Sequence, residues 1–360
     1  ARRPVGRQTF ALSLAALVLA ALLSLSACVS AGSPSPGSDT QGQSAAASVV
    51  AQATLKAAQY DYDGALALLA SGTSAEAAAA KAGITKAKDA AQPWAEPTKV
   101  PHLFWHPLVV DPARAFSTEL APADRAGNAQ YMVTRSEFVA QLQSIYDKGY
   151  VLIHPERLYQ LSDGVMTSVA DRIKLPPGKK PLVISQDDVN YYKRWADEGG
   201  FPAELKVAAD GTVVNKYTDA AGATTEGAFD VVPIVDAFVR QHPDFSYRGD
   251  KGSIALTGYE GALGYRSSVR AYGDTAATQQ AAADAKRVAD AMKAEGWNFA
   301  SHTFGHISYS ASSAAQIKAD MDRWKAEVEP ITGPTPELIY AFGSDSANSI
   351  GKSYAASDPK

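Results

Sequence analysis

The chain has 360 residues, of which 46% are hydrophobic and 20% are charged, and its formal net charge is -4. This composition is typical of a folded globular protein rather than a disordered one, and the length allows one large domain with a small addition. Beyond the first few positions the sequence contains no block of basic residues. Nucleic acid is therefore excluded as an expected partner.

The N-terminus predicts export. An apolar run over residues 10–25 is short for a membrane-spanning helix and is typical of a cleaved signal peptide. Residues 25–28, Leu-Ser-Ala-Cys, resemble the end of a bacterial lipoprotein signal. We expect residues 1–27 to be a signal peptide and Cys28 to carry the lipid that anchors the protein to the extracytoplasmic face of the cell membrane. The alternative is that Cys28, the single cysteine, is a buried or unpaired thiol.

Three further segments follow along the chain. Residues 28–47 are mostly small and polar, which predicts a flexible tether. Residues 48–96 are rich in alanine, with apolar residues at helical spacing, and predict a spacer of two or three short helices. The main domain is expected over residues 97–360.

Strands and helices alternate in the main domain, which predicts parallel β/α units. Two capping boxes, at Thr134 and Ser313, indicate where two of the helices begin. In chain order we predict a strand over 100–110, a helix ending near 149, strands over 150–153 and 181–185, a β-hairpin over 205–217, a helix over 230–240, a strand over 253–256, a helix over 276–295, a strand over 297–300, a helix from 314 and a strand over 337–342.

Polar side chains follow two of these strands. Asp187 and Asp188 follow the buried strand over 181–185, and His302 follows the strand over 297–300, with His306 one helical turn further on. Because parallel strands gather such side chains at one edge of the sheet, we expect the four residues to meet. One carboxylate and two imidazoles are typical ligands of a catalytic zinc ion, and a second carboxylate can act as a base. The competing interpretation is that the acids cap a loop or helix and the histidines are structural.

The motifs resemble those of a known family. Residues 184–190, Ile-Ser-Gln-Asp-Asp-Val-Asn, resemble the first motif of the polysaccharide deacetylase (NodB-homology, carbohydrate esterase family 4) family, and residues 301–306, Ser-His-Thr-Phe-Gly-His, resemble its second motif. The resemblance implies a distorted (β/α) barrel that removes N-acetyl groups from peptidoglycan or a related wall or extracellular glycan. It assigns Asp188, His302 and His306 to a divalent metal, usually zinc, and Asp187 to the role of catalytic base.

Other residues enter through the same resemblance. Backbone N–H groups of Phe342 or Gly343 would bind the oxyanion. Arg266 or Arg270 could replace an arginine that the family carries near that strand, with a surface role as the favoured alternative for either. Tyr191 is positioned in the sequence to stack on a sugar ring, with core packing as the alternative.

Some features depart from the family pattern. No histidine follows His306, although the family takes its general acid from a late histidine. We expect the C-terminal part of the domain to be lacking, and the alternative is that the enzyme uses another acid. A catalytically inactive, glycan-binding lipoprotein is the alternative function, and a solute-binding lipoprotein is a third. No phosphate-binding loop is present, so no nucleotide is expected.

Overall fold

The computed structural model describes residues 39–163 and 165–344. The predicted signal peptide and Cys28 lie outside the described residues. None of the helices formed by the described residues is long and apolar enough to cross a membrane.

Helices and strands alternate through most of the described chain. The α-helices are α1 (Asp39–Ala58), α2 (Tyr62–Leu68), α3 (Ala75–Ala90), α4 (Pro112–Ala115), α5 (Pro122–Tyr131), α6 (Arg135–Asp147), α7 (Lys193–Glu198), α8 (Val231–Gln241), α9 (Val269–Tyr272), α10 (Ala276–Ala294), α11 (Ala314–Glu327) and α12 (Glu329–Thr332). The strands are β1 (Gln92–Pro93), β2 (His102–Trp105), β3 (Tyr150–Leu152), β4 (Tyr159–Ser162), β5 (Val165–Ser168), β6 (Lys174–Leu175), β7 (Lys180–Asp187), β8 (Glu204–Val207), β9 (Val213–Thr218), β10 (Thr224–Gly227), β11 (Ser253–Leu256) and β12 (Asn298–Ser301).

A five-stranded parallel sheet forms the centre of the molecule. Its strands lie in the order β12-β11-β7-β2, and β3 pairs with the first half of β7. β7 is buried along all but its first residue, because helices or loops cover both of its faces. The predicted α/β class with a parallel sheet is confirmed. The pairings between described strands do not close into a ring, so the barrel stays a prediction.

Apolar side chains from the sheet and the surrounding helices form the main core. It includes Leu182 and Ile184 of β7, several residues of α8, and Val288 and Met292 of α10. Each of these side chains stabilises the fold by roughly 1.5–3 kcal/mol relative to an exposed position. This burial holds the carboxyl ends of the strands in fixed register.

The helices that precede the sheet share a second core with it. Leu69, at the end of α2, and Ile84 of α3 lie in one buried cluster with Val151 of β3 and Val183 of β7. Residues from Ala46 onward accordingly form one compact unit. The predicted helices, expected to be a spacer or a cap, are present and pack against the main domain.

Three predicted boundaries are wrong. α1 begins at Asp39, inside the predicted tether, because the alanine-rich sequence that follows favours helix. β2 spans only His102–Trp105, since Pro107 has no N–H to continue a ladder. The predicted last strand is reduced to a bridge between Ser301 and Leu338 and a turn over Ala341–Gly343.

Candidate metal centre

The chain bends between the two adjacent acids. β7 ends at Asp187, and Asp188 adopts a left-handed backbone conformation with φ of 60°. Without the bend, neighbouring side chains of a strand would point to opposite faces. Both carboxyl groups are buried, at 6% exposure each.

The side chain of Asn190 fixes the loop that follows the acids. Its amide group donates to the carbonyl oxygen of Thr257 at 2.8 Å and also to that of Gly261, and its oxygen accepts from the Thr257 N–H at 3.0 Å. Asn190 is fully buried. The loop that follows the acids, residues 188–192, is called the acid loop here. These side-chain hydrogen bonds, and not strand pairing, tie it to the segment after β11.

The histidine segment is a loop, not the helical turn that the spacing predicted. Thr303 and His306 both have positive φ, of 63° and 51°, so a regular helix cannot continue through them. The carboxylate of Asp320, on α11, accepts from the Phe304 N–H at 2.6 Å and from the Gly305 N–H at 2.9 Å. This buried carboxylate, which the sequence did not reveal, supplies the hydrogen bonds that a helix would otherwise make internally.

The loops bring the predicted ligands together. Oδ1 of Asp188 lies 4.0 Å from Nε2 of His302 and 3.8 Å from Nε2 of His306. One potential ligand atom from each of the three residues lies within 4.8 Å of the other two. Ligand atoms around a tetrahedral zinc ion are ~3.4 Å apart, given zinc–ligand distances of ~2.0–2.1 Å. The donor set and its spacing therefore fit a divalent metal after a small inward movement of the side chains.

The surroundings of His302 favour a neutral imidazole, the form that binds a metal. Its Nδ1 lies 2.9 Å from the carbonyl oxygen of Ile339, so Nδ1 carries the hydrogen and the lone pair of Nε2 faces Asp188. Burial lowers the pKa of the His302 imidazole, although the charge of Asp188 partly opposes this shift. A metal-binding imidazole must be deprotonated at the ligand nitrogen, and an outer hydrogen bond of this kind orients the ring.

Asp187 directly precedes the predicted ligand Asp188 and lies in an environment that favours its protonated form. Burial, followed by the negative charge of Asp188, raises the pKa of Asp187 to about 7, while a hydrogen bond from Ser185 lowers it. The Ser185 hydroxyl donates to Oδ1 of Asp187 at 3.4 Å and lies 2.9 Å from Nε2 of His102. A carboxyl group with a pKa near neutrality is suited to accept a proton during catalysis.

A third imidazole lies close to the ligands. Burial lowers the pKa of His106, and the charge of Asp188 opposes this effect. Nδ1 of His106 lies 3.2 Å from the carbonyl oxygen of Tyr131, so Nε2 is the nitrogen with the lone pair. The pairing of Trp105 in β2 with Gln186 in β7 brings His106, the next residue, near Asp188.

Exposed aromatic rings border the histidines. The ring of Phe342, 72% exposed, lies 4.4 Å from that of His306. The exposed rings of Phe104 and Tyr131 lie 5.9 and 6.4 Å from the His106 ring.

The residues predicted to bind substrate have mixed outcomes. The prediction that Tyr191 stacks on a sugar ring is wrong, because its side chain is fully buried and its hydroxyl donates to Asp230 at 2.7 Å. Arg266 donates to the carbonyl oxygen of Tyr191 at 2.8 Å and so contacts the acid loop, not Asp187. The N–H of Gly343 donates to the Tyr340 carbonyl oxygen at 3.1 Å.

Together, the parallel sheet and the cluster at its carboxyl edge define an α/β protein with a candidate hydrolytic metal centre. Residues 273–356 match the model of the polysaccharide deacetylase family, and this stretch includes both histidines of the cluster. The match agrees with the predicted resemblance over this part of the chain, which carries the second motif.

One solved structure is also similar to the chain. That of the Streptococcus pyogenes deacetylase PplD in complex with acetate has a TM-score of 0.38 and 16% sequence identity, covering 72% of this chain and 79% of that chain. No curated protein matches the chain.

Proposed function

We propose that the protein is a metal-dependent hydrolase that removes N-acetyl groups from a cell-wall or extracellular polysaccharide. The observation that carries this proposal is the convergence of Asp188, His302 and His306 within 4.8 Å, with the buried carboxyl of Asp187 alongside. The family match supports deacetylation as the reaction. The lipid anchor at Cys28 is part of the proposal and is supported by the N-terminal sequence motif alone.

The three ligands would hold a divalent cation, for which zinc is our first candidate. When bound, such a cation polarises an amide carbonyl group and lowers the pKa of a coordinated water molecule. We assign Asp187 to remove a proton from the attacking water, because its buried carboxyl is close enough to respond to the charge of Asp188 and has a pKa of about 7.

Two other groups complete the proposed chemistry. The Phe342 N–H, in the turn beside His306, is the group that we assign to donate to the developing oxyanion. His106 is the imidazole near the ligands that we assign to deliver a proton to the leaving amine. Its Nε2 makes no hydrogen bond to a described residue and can take up and release that proton.

Acetate release and metal content test this proposal together. The wild-type protein is expected to bind about one zinc ion per chain and to release acetate from N-acetylated oligosaccharides or peptidoglycan. His302→Ala is expected to lose both properties. Asp187→Asn and His106→Gln are expected to keep the metal and to lose ~10²-fold or more in kcat, because each removes a proton-transfer group.

A matched control is His242→Gln, since His242 packs against Tyr146 and Phe238 away from the cluster. This variant should keep both metal and activity. Bound metal without acetate release from any N-acetylated glycan would overturn the enzymatic proposal. That result would favour the alternative, an inactive glycan-binding protein.

A further inference from the structure

A buried phenol contacts one of the proposed metal ligands. The hydroxyl of Tyr192 donates a hydrogen bond of 2.6 Å to Oδ1 of Asp188. This oxygen is the atom that lies 4.0 and 3.8 Å from the two imidazole nitrogens. Tyr192 is only 8% exposed, so water does not compete freely for the carboxylate on this side.

The position of the Tyr192 hydroxyl is itself fixed by two neighbours. Oγ1 of Thr257 lies 2.8 Å from the phenolic oxygen, and the rings of Tyr192 and Tyr259 stack with centroids 5.0 Å apart at an angle of 19°. An ionised carboxylate only accepts hydrogen bonds, so Tyr192 donates to Asp188 and the Thr257 hydroxyl donates to Tyr192. This arrangement leaves the phenol little freedom to turn away.

The backbone at Asp188 needs such support. Its φ of 60° lies in the left-handed region, which residues other than glycine adopt at an energetic cost and keep only where the surroundings hold it. Asn190 holds the backbone that follows, through its bonds to Thr257 and Gly261. Tyr192 is the group that holds the side chain.

We propose that Tyr192 is a positioning residue that fixes the carboxylate of Asp188 in the orientation required to bind the metal. The inference rests on the proposed function, because it assumes that Asp188 is a metal ligand. Tyr192 itself contacts neither metal nor substrate. It acts through Asp188, as outer hydrogen-bonding partners of metal ligands commonly do.

Tyr192→Phe tests the inference, because it removes the hydroxyl and keeps the ring stacked on Tyr259. Zinc affinity of the metal-free protein is measured in competition with a chromophoric chelator. Loss of an outer hydrogen bond to a ligand typically weakens metal binding by about 10- to 100-fold, and we expect a loss in this range. In the cobalt-substituted protein, the visible absorption bands of the ion are expected to shift, since its carboxylate ligand is reoriented.

Tyr191→Phe is a closely matched control. Tyr191 is the preceding residue, is fully buried, and donates a hydrogen bond of 2.7 Å to a carboxylate, that of Asp230, which is not a metal ligand. Its loss should destabilise the fold to a similar extent and leave zinc affinity unchanged. Thr257→Val, which removes only the support of the phenol, is expected to weaken zinc binding less than Tyr192→Phe.

The possible results test the inference about Tyr192 separately from the proposed function on which it rests. If the wild-type protein binds zinc and Tyr192→Phe binds it equally tightly, the inference is overturned and the proposed function stays intact. Equal losses in Tyr192→Phe and Tyr191→Phe would also overturn it, because they would show general loosening of the acid loop. If Tyr192→Phe does not fold, an unchanged affinity in Thr257→Val has the same meaning. A wild-type protein that binds no zinc would instead contradict the proposed function.

Discussion

Asp187 combines burial with a neighbouring negative charge, and both favour its protonated form. Its pKa is raised from 3.8 to about 7 in the folded protein. Folding of the metal-free protein therefore takes up a proton at this residue between these two values. The stabilisation linked to the protonated group is fully present below pH 3.8 and is lost as the pH rises through about 7.

Asp187→Asn is expected to flatten this part of the pH dependence, because asparagine has a similar size and does not ionise. The free energy of unfolding of the metal-free wild-type protein should fall relative to that of the variant between pH 4 and 7, by at most about 1.4 kcal/mol per pH unit. Urea denaturation at a series of pH values measures the difference. Parallel curves for these two proteins would contradict the pKa shift. The control is Asp197→Asn, at an exposed position of α7, whose curve should run parallel to that of the wild-type protein.

At this scale the sequence identified which residues meet but not how each is oriented. Asp188, His302 and His306 were predicted because each follows a buried strand, and the described geometry brings them together. Tyr191 was predicted to face substrate, yet the positive φ of 47° at this residue turns its ring into the core. Backbone reversals of this kind at residues other than glycine leave no pattern in a single sequence.

The histidine loop is the element that depends most on one distant side chain. Asp320 lies on α11 and accepts hydrogen bonds from two consecutive N–H groups of the loop. Burial raises the pKa of this carboxyl, and those two hydrogen bonds oppose the shift. Because the loop carries both imidazoles, its conformation sets the distance between their ligand nitrogens.

Asp320→Asn is expected to weaken zinc binding and to lower the free energy of unfolding by roughly 1–3 kcal/mol, since an amide group cannot accept both bonds. Chelator competition and urea denaturation measure the two effects. Asp322→Asn, on the exposed face of the same helix, is the control and should change neither quantity appreciably. Unchanged zinc affinity in Asp320→Asn would mean that the loop keeps its shape without the carboxylate.

Elements with a local signal were predicted well. Both capping boxes are present, at Thr134 and Ser313, because their hydrogen bonds join residues three positions apart. The hairpin around Asp210 is also present, and a third strand, β10, extends it. The histidine loop was predicted wrongly, because its hydrogen bonds come from a residue far along the chain.

At the scale of the whole molecule, the N-terminal helices and the sheet share a buried cluster. The hydroxyl of Tyr60 donates to the carbonyl oxygen of Asp244 at 2.6 Å, and its ring stacks on that of Tyr247 at 6.0 Å. The sequence indicated the helices through their alanine content but contained no sign of this contact. Alanine-rich segments have low amphipathic contrast, so the face that packs is hard to recognise.

Leu69→Ala is expected to destabilise the entire unit and not the helices alone. Leu69 is fully buried in the shared cluster, and such truncations typically cost about 2–5 kcal/mol. Tryptophan fluorescence reports on the core through the buried Trp297 and should show a single unfolding transition at lower urea concentration. Leu55→Ala, at a position 49% exposed, should have little effect. An unchanged transition in Leu69→Ala would show that the helices unfold independently.

Successive side chains of β7 point to opposite faces of the sheet, and this limits the insertions that the protein can tolerate. Ser185 and Asp187 face the cluster, whereas Gln186, between them, donates to Asp230 in the opposite layer at 2.8 Å. A shift of this strand's register by one residue would move Ser185 and Asp187 to the face that Gln186 occupies, and Gln186 to theirs. An amide would then enter the cleft, and an acid would be forced among the groups that already surround Asp230. Length changes in this strand should therefore abolish chemistry and folding together, whereas the exposed turn between β8 and β9 should tolerate changes in length.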